Sequence, residues 1–404
     1  MGNAEVSTIV IGAGASGMMA AITAARRGKS VLVLEHLKQA GKKLNATGNG
    51  KCNFTNERMS GDCYHGDRGL IESVLSQFSR DDALGFFRDI GIYPKNKRGY
   101  YYPNCEQASS VVEALTAEME RLGIPVVTEV EVRRVAPEKA GFCCRTDRQD
   151  YRGRNVVFAT GLLASPKLGS DGSAIDLIKE LGHRFVPILP ALCGFYCEGM
   201  RFRKVAGVRA DAALTLRIDG QKRETERGEL QLADYGLSGI PMFQLSSQAV
   251  RALYEKRPVE VSIDFLPDIP AEELLPELVR RQERGIGNNA QLLCGLLHSK
   301  LIPECLDAAG IGTQARDETA LERLAAVLKS YPVTLLKARG MEYAQVCTGG
   351  VRTEEIDICT LESRIHPGLY FAGELLDADG ICGGYNLQWA WASGYVAGRH
   401  VEDT

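Results

Sequence analysis

Residues 6–11 form a short, nearly continuous apolar run, the pattern of a strand buried on both faces. A glycine turn follows from Gly12 to Gly17, then a helical stretch from Ser16 to Arg27 and a second buried strand from Val31 to Glu35. This succession is one βαβ unit, the building block of doubly wound parallel sheets. Helical spacing recurs from about Leu70 to Ile90 and from Ser110 to Leu122, and strand signals cover Pro125–Val135, Phe142–Thr146 and Asn155–Ala159. Past Pro190 the character changes. Ala212–Ile218 and Val259–Phe265 alternate as half-buried strands do, and Ala271–Lys329 is helical, with Glu272, Leu275, Leu278 and Val279 at helix spacing. Strand signals return at Gly368–Ala372, then a glycine loop and a last helix, Leu387–His400. The pattern predicts an α/β fold whose first domain is discontinuous, 1–190 with 345–404. Between its halves lie a β-rich region, 191–270 with 330–344, and a helical region, 271–329.

A length of 404 residues fits two or three domains, and 45% apolar with 25% charged residues is an ordinary globular balance. A formal net charge of −3 gives no basic surplus for nucleic acid or an acidic membrane. The first residues lack a basic signal-peptide start, Val6 stands where a myristoylation signal needs Ser or Thr, and glycines interrupt the apolar stretch Ile9–Ala25. A cytoplasmic protein is expected. Twelve scattered cysteines without a Cys-x-x-Cys read as reduced thiols, and no metal-ligand spacing occurs, so no metal is expected.

The chemistry sits at the two ends of the chain. Gly12, Gly14 and Gly17 make a G-x-G-x-x-G between a strand and a helix. The first glycine allows the turn, the second lets the backbone approach a pyrophosphate, and the third lets the helix pack on the sheet. Ala15 and Ser16 open the helix whose free N–H groups face that phosphate. Glu35 ends the second strand, about 20 residues on, where an acid meets a ribose hydroxyl. The motif alone does not separate NAD from FAD. Lys43, Gly50, Lys51 and Cys52 belong to a loop rich in Gly and Asn that suits a planar, phosphate-bearing ligand. Thr160 and Gly161 close a buried strand in a small-residue turn. Near the C-terminus a strand ends at Gly373 and Glu374, and Gly383-Gly384 opens the last helix at Tyr385, Asn386 and Leu387. A flavin needs such a helix end, because its pyrimidine edge becomes negative on reduction.

These stretches resemble the BaiN-like NAD(P)/FAD-dependent oxidoreductases, the aminoacetone-oxidase-type flavoproteins. The resemblance rests on GAGASG, GKKLNATGNGKCNFTN, GYYYP, FATGLLASPKLGSDG, GELQLADYGLSG, CTGGV and GLYFAGELLDADGICGGYNLQWAWASGYVAG, spread over nearly the whole chain. It implies a Rossmann-like FAD-binding domain with an inserted β-rich region and a small helical region. Carried over position by position, it implies FAD contacts at Gly12, Gly14, Ala15, Ser16, Glu35, Lys43, Gly50, Cys52, Val132, Gly373, Glu374 and Gly384 to Leu387. Val132 rests on an adenine contact from the strand after Gly123. The chain departs from the family pattern at Thr47 to Lys51, at Tyr100 (Arg in the family), at Ala233-Asp234 (Thr-His) and at Cys382 (Thr).

The resemblance further implies that NAD(P)H, a transient reductant, reduces the flavin, and the single qualified glycine fingerprint gives NAD(P)H no Rossmann domain of its own. The flavin then reduces an activated double bond of an apolar enone, such as a 3-oxo-Δ4 or Δ6 bile-acid intermediate. Oxidation of a small amine or amino ketone, and modification of RNA, stand beside it. Tyr102 and Tyr385 are candidate proton donors, with Cys52 third, against the reading that they serve packing alone. Cys52 is either an activated thiolate or a small residue under the ring. Gly285–Ala290 fits G-x-G-x-x-A but follows no strand. His183, His298 and His366 read as surface or capping residues, and Trp389 and Trp391 as packing.

Overall fold

The computed structural model describes residues 6–284, 288–312 and 317–402. The chain divides into two compact units, Met1–Leu189 with Gln345–Thr404, and Pro190–Ala344.

The first unit is built on a seven-stranded sheet. Strand β1 (Val6–Ile11) lies between β2 (Val31–Leu34) and the strand Asp150–Phe158, parallel to both. The register sets Ile11 beside Leu34 and Phe158. Three strand ends thus come level at Gly12, Glu35 and Ala159, and the carboxyl edge of a parallel sheet is where ligands bind. Leu369–Phe371 adds a further parallel strand beside Val156–Phe158. Val132–Glu138 and Gly141–Thr146 complete an antiparallel meander on the other part of Asp150–Phe158.

Helix α1 (Ala15–Arg26) follows Gly14 and ends before Gly28, whose φ of +83° suits only glycine. Its main neighbour is the last helix, Tyr385–His400. A Cβ on Gly394 would collide with the carbonyl of Ser16, and one on Gly398 with that of Ala20. Two glycines a turn apart therefore let the two backbones touch. Trp389 and Trp391 are fully buried, and their indole N–H groups donate to Gly373 O (2.9 Å) and Phe54 O (3.0 Å). Both are packing residues with a satisfied polar handle.

Two expected elements divide. The helical stretch Leu70–Ile90 is two helices, Arg68–Gln77 and Arg80–Asp89. The break is a capping box: Asp82 N donates to Ser79 Oγ (3.2 Å), and Ser79 N donates to Asp82 Oδ2 (2.8 Å). The strand Pro125–Val135 becomes Val126–Val127 and Val132–Glu138, interrupted where Glu129 takes a φ of +56°.

The second unit is a closed antiparallel barrel of Phe195–Glu198, Gly236–Gly239, Gln221–Ala233, Arg209–Ile218, Val259–Asp264 and Tyr331–Ala338. Alternate residues of Arg209–Ile218 are buried, as a barrel interior requires. Helices Ala271–Glu283, Asn289–Leu292, Ile302–Ala308 and Glu318–Lys329 make up its helical part. In the sequence decoy, Gly285, Ile286 and Gly287 lie outside the described residues, and Asn288 caps a short helix. Among the described residues no helix is long and apolar enough to cross a membrane.

A candidate dinucleotide cofactor site

Each fingerprint glycine has its own reason. A Cβ on Gly12 would stand 2.7 Å from the Ala159 carbonyl, and one on Gly17 would overlap the Gly12 carbonyl. Gly14 differs. Its φ of −82° is open to any residue, and a Cβ there meets no atom within 4 Å. Nothing in the chain asks for glycine at this position, so the requirement comes from a group that approaches from outside. The position is the start of α1, which carries no acid in its first turn. The N–H groups of Ala15, Ser16 and Gly17 are those a helix leaves without an internal partner.

Glu35 stands at the end of β2 with 6% of its surface exposed. Its Oε2 accepts from Ala13 N (2.8 Å) and its Oε1 from Leu37 N (2.8 Å). Two N–H donors fix the carboxylate and leave lone pairs for ribose hydroxyls. The residue beside it is Val130, whose N–H donates to the Glu35 carbonyl (3.1 Å). Val132, the expected adenine contact, lies two residues on and is paired with Thr146.

The C-terminal loop meets the N-terminal one directly. A Cβ on Gly373 would strike the Ser16 hydroxyl. Lys43 Nζ binds Glu374 Oε2 (3.0 Å), Ala164 O (3.1 Å) and Ser170 Oγ (3.4 Å), so its ammonium is engaged with the protein itself. Gly161, at the end of the strand Asp150–Phe158, adjoins the same cluster: a Cβ there falls 2.9 Å from Ser170 Oγ and 3.5 Å from Glu374 Oε2. Thr160 turns its hydroxyl onto the Gly161 carbonyl (3.2 Å). Lys51 is exposed and lies 3.7 Å from Glu106. Gly50, like Gly14, has open space where its Cβ would be, but it also needs glycine for its φ of +79°.

The last helix starts at Gly384, again with no acid in its first turn. The loop Cys52–Asn56 lies against this end. A Cβ on Gly384 would meet Thr55 O (2.7 Å) and Asn53 Oδ1 (2.8 Å). Asn56 Nδ2 donates to Gly383 O (2.8 Å), and the Thr55 hydroxyl donates to Gln388 Oε1 (2.7 Å). Asn53 Oδ1 is shut from solvent without a hydrogen-bond partner. A buried acceptor without a donor marks a place for a ligand N–H. The open cradle at Gly14, the anchored Glu35 and this acceptor at the second helix end fit a flavin dinucleotide.

Cys52 is fully buried, and burial pushes its thiol up to about 12 against the hydrogen bond from Thr47. This environment favours the thiol over the thiolate. Tyr385 is 5% exposed; burial and then its contact with Cys63 push its hydroxyl above the ordinary phenol value. Tyr102 is half-buried, with a ring carbon 3.9 Å from where a Gly48 Cβ would be, and burial raises it as well. The sequence marks Tyr100 as a departure from the family pattern and not as a proton donor; its ring lies against the Gly383 turn. Strand alternation, which puts 100 and 102 on one face, is the signal that finds it. Asn53, Thr55 and Asn56 were likewise unassigned, although the amide-rich loop pointed to them.

His183 is the clearest displacement from expectation. It is buried, with Nε2 2.9 Å from Ser363 Oγ and Nδ1 3.3 Å from Glu355 Oε2, out of line for a hydrogen bond. Burial lowers its pKa, although Glu355 opposes this. Its partners lie far along the chain, out of reach of local pattern.

Fold and cradle together define an FAD-binding protein of the Rossmann-like class. Residues 6–400 match the HI0933-like protein Rossmann domain, and the chain belongs to that family. It is 42% identical over 398 residues to a 3-dehydro-bile acid delta(4,6)-reductase of Clostridium scindens, a match spanning 96% of this chain and 97% of that one. It is 29% identical over 404 residues to a ribosomal RNA dihydrouridine synthase of Haemophilus influenzae, spanning 97% and 98%. Among solved structures, the open conformation of a flavocytochrome c3 fumarate reductase superposes with a TM-score of 0.52 at 14% identity, over 99% of this chain and 78% of that one. That likeness is one of fold.

Proposed function

We propose that the protein is an FAD-dependent oxidoreductase that saturates a double bond conjugated to a carbonyl in a rigid apolar acid of the bile-acid or steroid kind, with NAD(P)H as reductant. The observation that carries this reading is the near full-length kinship, at 42% identity, with a 3-dehydro-bile acid delta(4,6)-reductase. When bound, the flavin supplies the hydride chemistry. The chain's own residues supply the rest. The N-terminus of the last helix stabilises negative charge at the ligand edge it faces. Tyr102 holds a proton at neutral pH, with its pKa raised by burial, which suits a donor to an enolate. Cys52 stays a thiol and offers no nucleophile at neutral pH.

The kinship with ribosomal RNA dihydrouridine synthases supports a second reading, since dihydrouridine is also the product of saturating a ring double bond next to a carbonyl. A net charge of −3 gives that reading no electrostatic help with a phosphate backbone.

The test is an anaerobic titration of the purified protein with NADH and NADPH, followed by a 3-oxo-Δ4 steroid acid, unmodified ribosomal RNA, or a small amine with O₂. Reoxidation by the enone supports the first reading. Turnover of RNA, or O₂ consumption with the amine in the absence of NAD(P)H, replaces it.

A further inference from the structure

In the second unit, the rim where Phe195–Glu198 begins and Tyr331–Ala338 ends carries a cation among aromatic rings. Arg339 sets its guanidinium carbon 3.3 Å from the ring centroid of Tyr343 and 4.4 Å from that of Tyr235. The ring of Tyr235 lies 5.5 Å from that of Tyr196, over which Lys337 places its ammonium at 4.9 Å. The backbone is built around this group. Arg339 N donates to Gly194 O (2.8 Å), and a Cβ on Gly194 would come within 3.0 Å of the Tyr235 hydroxyl.

Among the described residues no acid pairs with this cluster. Other arginines of this unit hold acids: Arg201 holds Glu304 and Asp307, Arg227 holds Asp211 and Asp268, and Arg257 holds Asp219 and Glu255. Among the described residues, no ion pair within 4 Å forms at Arg339 or Lys337. Arg339 Nε is shut from solvent and donates to nothing. A buried N–H of a charged group without an acceptor is costly, and it marks where an acceptor belongs.

The rings select the acceptor. They lie close around the guanidinium, and Tyr235 also hydrogen-bonds to it, while its Nε–H is left for an acceptor such as a carboxylate oxygen. Tyr343, 51% exposed, and half-buried Tyr196 offer apolar surface to whatever carries that group.

We propose that the barrel rim around Arg339 is a binding site for a carboxylate carried on a rigid apolar body. The ligand class rests on the function proposed above; the site rests on the rim alone.

The experiment is calorimetric binding of a saturated steroid carboxylate, cholanoic acid, and of its methyl ester to the FAD-loaded protein, in wild type, Arg339→Gln and Arg339→Lys. Neither probe has a double bond to reduce, so the readout is independent of turnover. The wild type binds the acid more tightly than the ester. Arg339→Gln weakens the acid by about 10- to 100-fold and leaves the ester unchanged, while Arg339→Lys recovers part of the loss. An unchanged ester affinity shows that the variant is folded. Equal wild-type affinity for acid and ester, or an acid preference that survives Arg339→Gln, overturns the site, while reduction of an enone still upholds the proposed function. Loss of NADPH binding in Arg339→Gln with the acid unaffected also overturns it, in favour of a nucleotide phosphate. If the wild type binds neither probe, the site falls, and reoxidation by the enone alone decides the proposed function.

Discussion

Lys43 Nζ and Glu374 Oε2 are 3.0 Å apart although 331 residues separate them in sequence. The other oxygen of Glu374 accepts from Cys347 N (2.6 Å). One carboxylate therefore joins the loop after β2 to the loop that leads into the last helix. Lys43→Met leaves this half-buried acid short of a partner beside the cofactor cradle. FAD affinity is expected to fall about tenfold, as loss of one charge-assisted hydrogen bond implies. Fluorescence titration of apoprotein with FAD checks this, and an unchanged dissociation constant refutes it.

Gly14→Val is expected to leave a folded protein without flavin, since a Cβ there meets no protein atom within 4 Å while the side chain enters the phosphate space. Gly17→Val is expected to damage the fold itself, because its side chain runs into the Gly12 carbonyl. Circular dichroism and the flavin released on denaturation separate the two effects. The wild type should release near-equal FAD per chain and no FMN, and Cys294→Ser should match it. Retention of FAD by Gly14→Val is incompatible with the site described.

Tyr102→Phe is expected to leave flavin reduction by NAD(P)H near normal and to slow reoxidation by an enone by about 10²–10⁴, the range of general-acid loss. Tyr385→Phe should change reoxidation less, because that hydroxyl is sealed and faces Cys63. Burial raises Tyr102 above its ordinary value, so the donor stays protonated, and the wild-type rate should be flat from pH 6 to 9 as far as this group sets it. Stopped-flow measurement of both half-reactions decides. Normal reoxidation in Tyr102→Phe assigns the proton elsewhere, with Tyr100 at the Gly383 turn the next candidate.

Glu118 joins α1 to the helix Ala108–Arg121, accepting from Arg26 Nε (2.9 Å) and Arg121 Nε (2.6 Å). Arg121 first, and then Arg26, outweigh burial and hold its carboxyl at about 2. A depressed folded pKa gives stability that is full above the unfolded value, near 4.5, and is lost as pH falls toward 2. Glu118→Gln should destabilise by about 2 kcal/mol at pH 7, the scale of a hydrogen bond to a charged group. The gap from wild type should close between pH 4.5 and 2 in denaturant melts. A gap that is constant with pH argues against the charge as its origin.

The cofactor end of the fold was legible because its signals are local. β1, the glycine turn, α1 and β2 follow one another within thirty residues, and Glu35 stands where the strand pattern puts it. Ser79 and Asp82 carried a readable capping box, but the apolar spacing across it masked the break between two helices. The burial of His183 was not readable, because Glu355 and Ser363 reach it from far along the chain. Nor was barrel closure: alternation marks Arg209–Ile218 as a strand but does not name its neighbours. The role of Arg339 needed three rings from separate segments to become visible.

The glycine seam between α1 and the last helix also orders events on the ribosome. The face of α1 that Gly394 and Gly398 cover is made well before its cover. At about 5–20 residues per second, roughly tens of seconds separate them. During that time the barrel unit has its whole sequence available and the flavin unit does not. Nascent α1 therefore waits with its small-residue face uncovered. Any chain halted before Gly394 lacks the cover for that face, however much of the glycine fingerprint it contains.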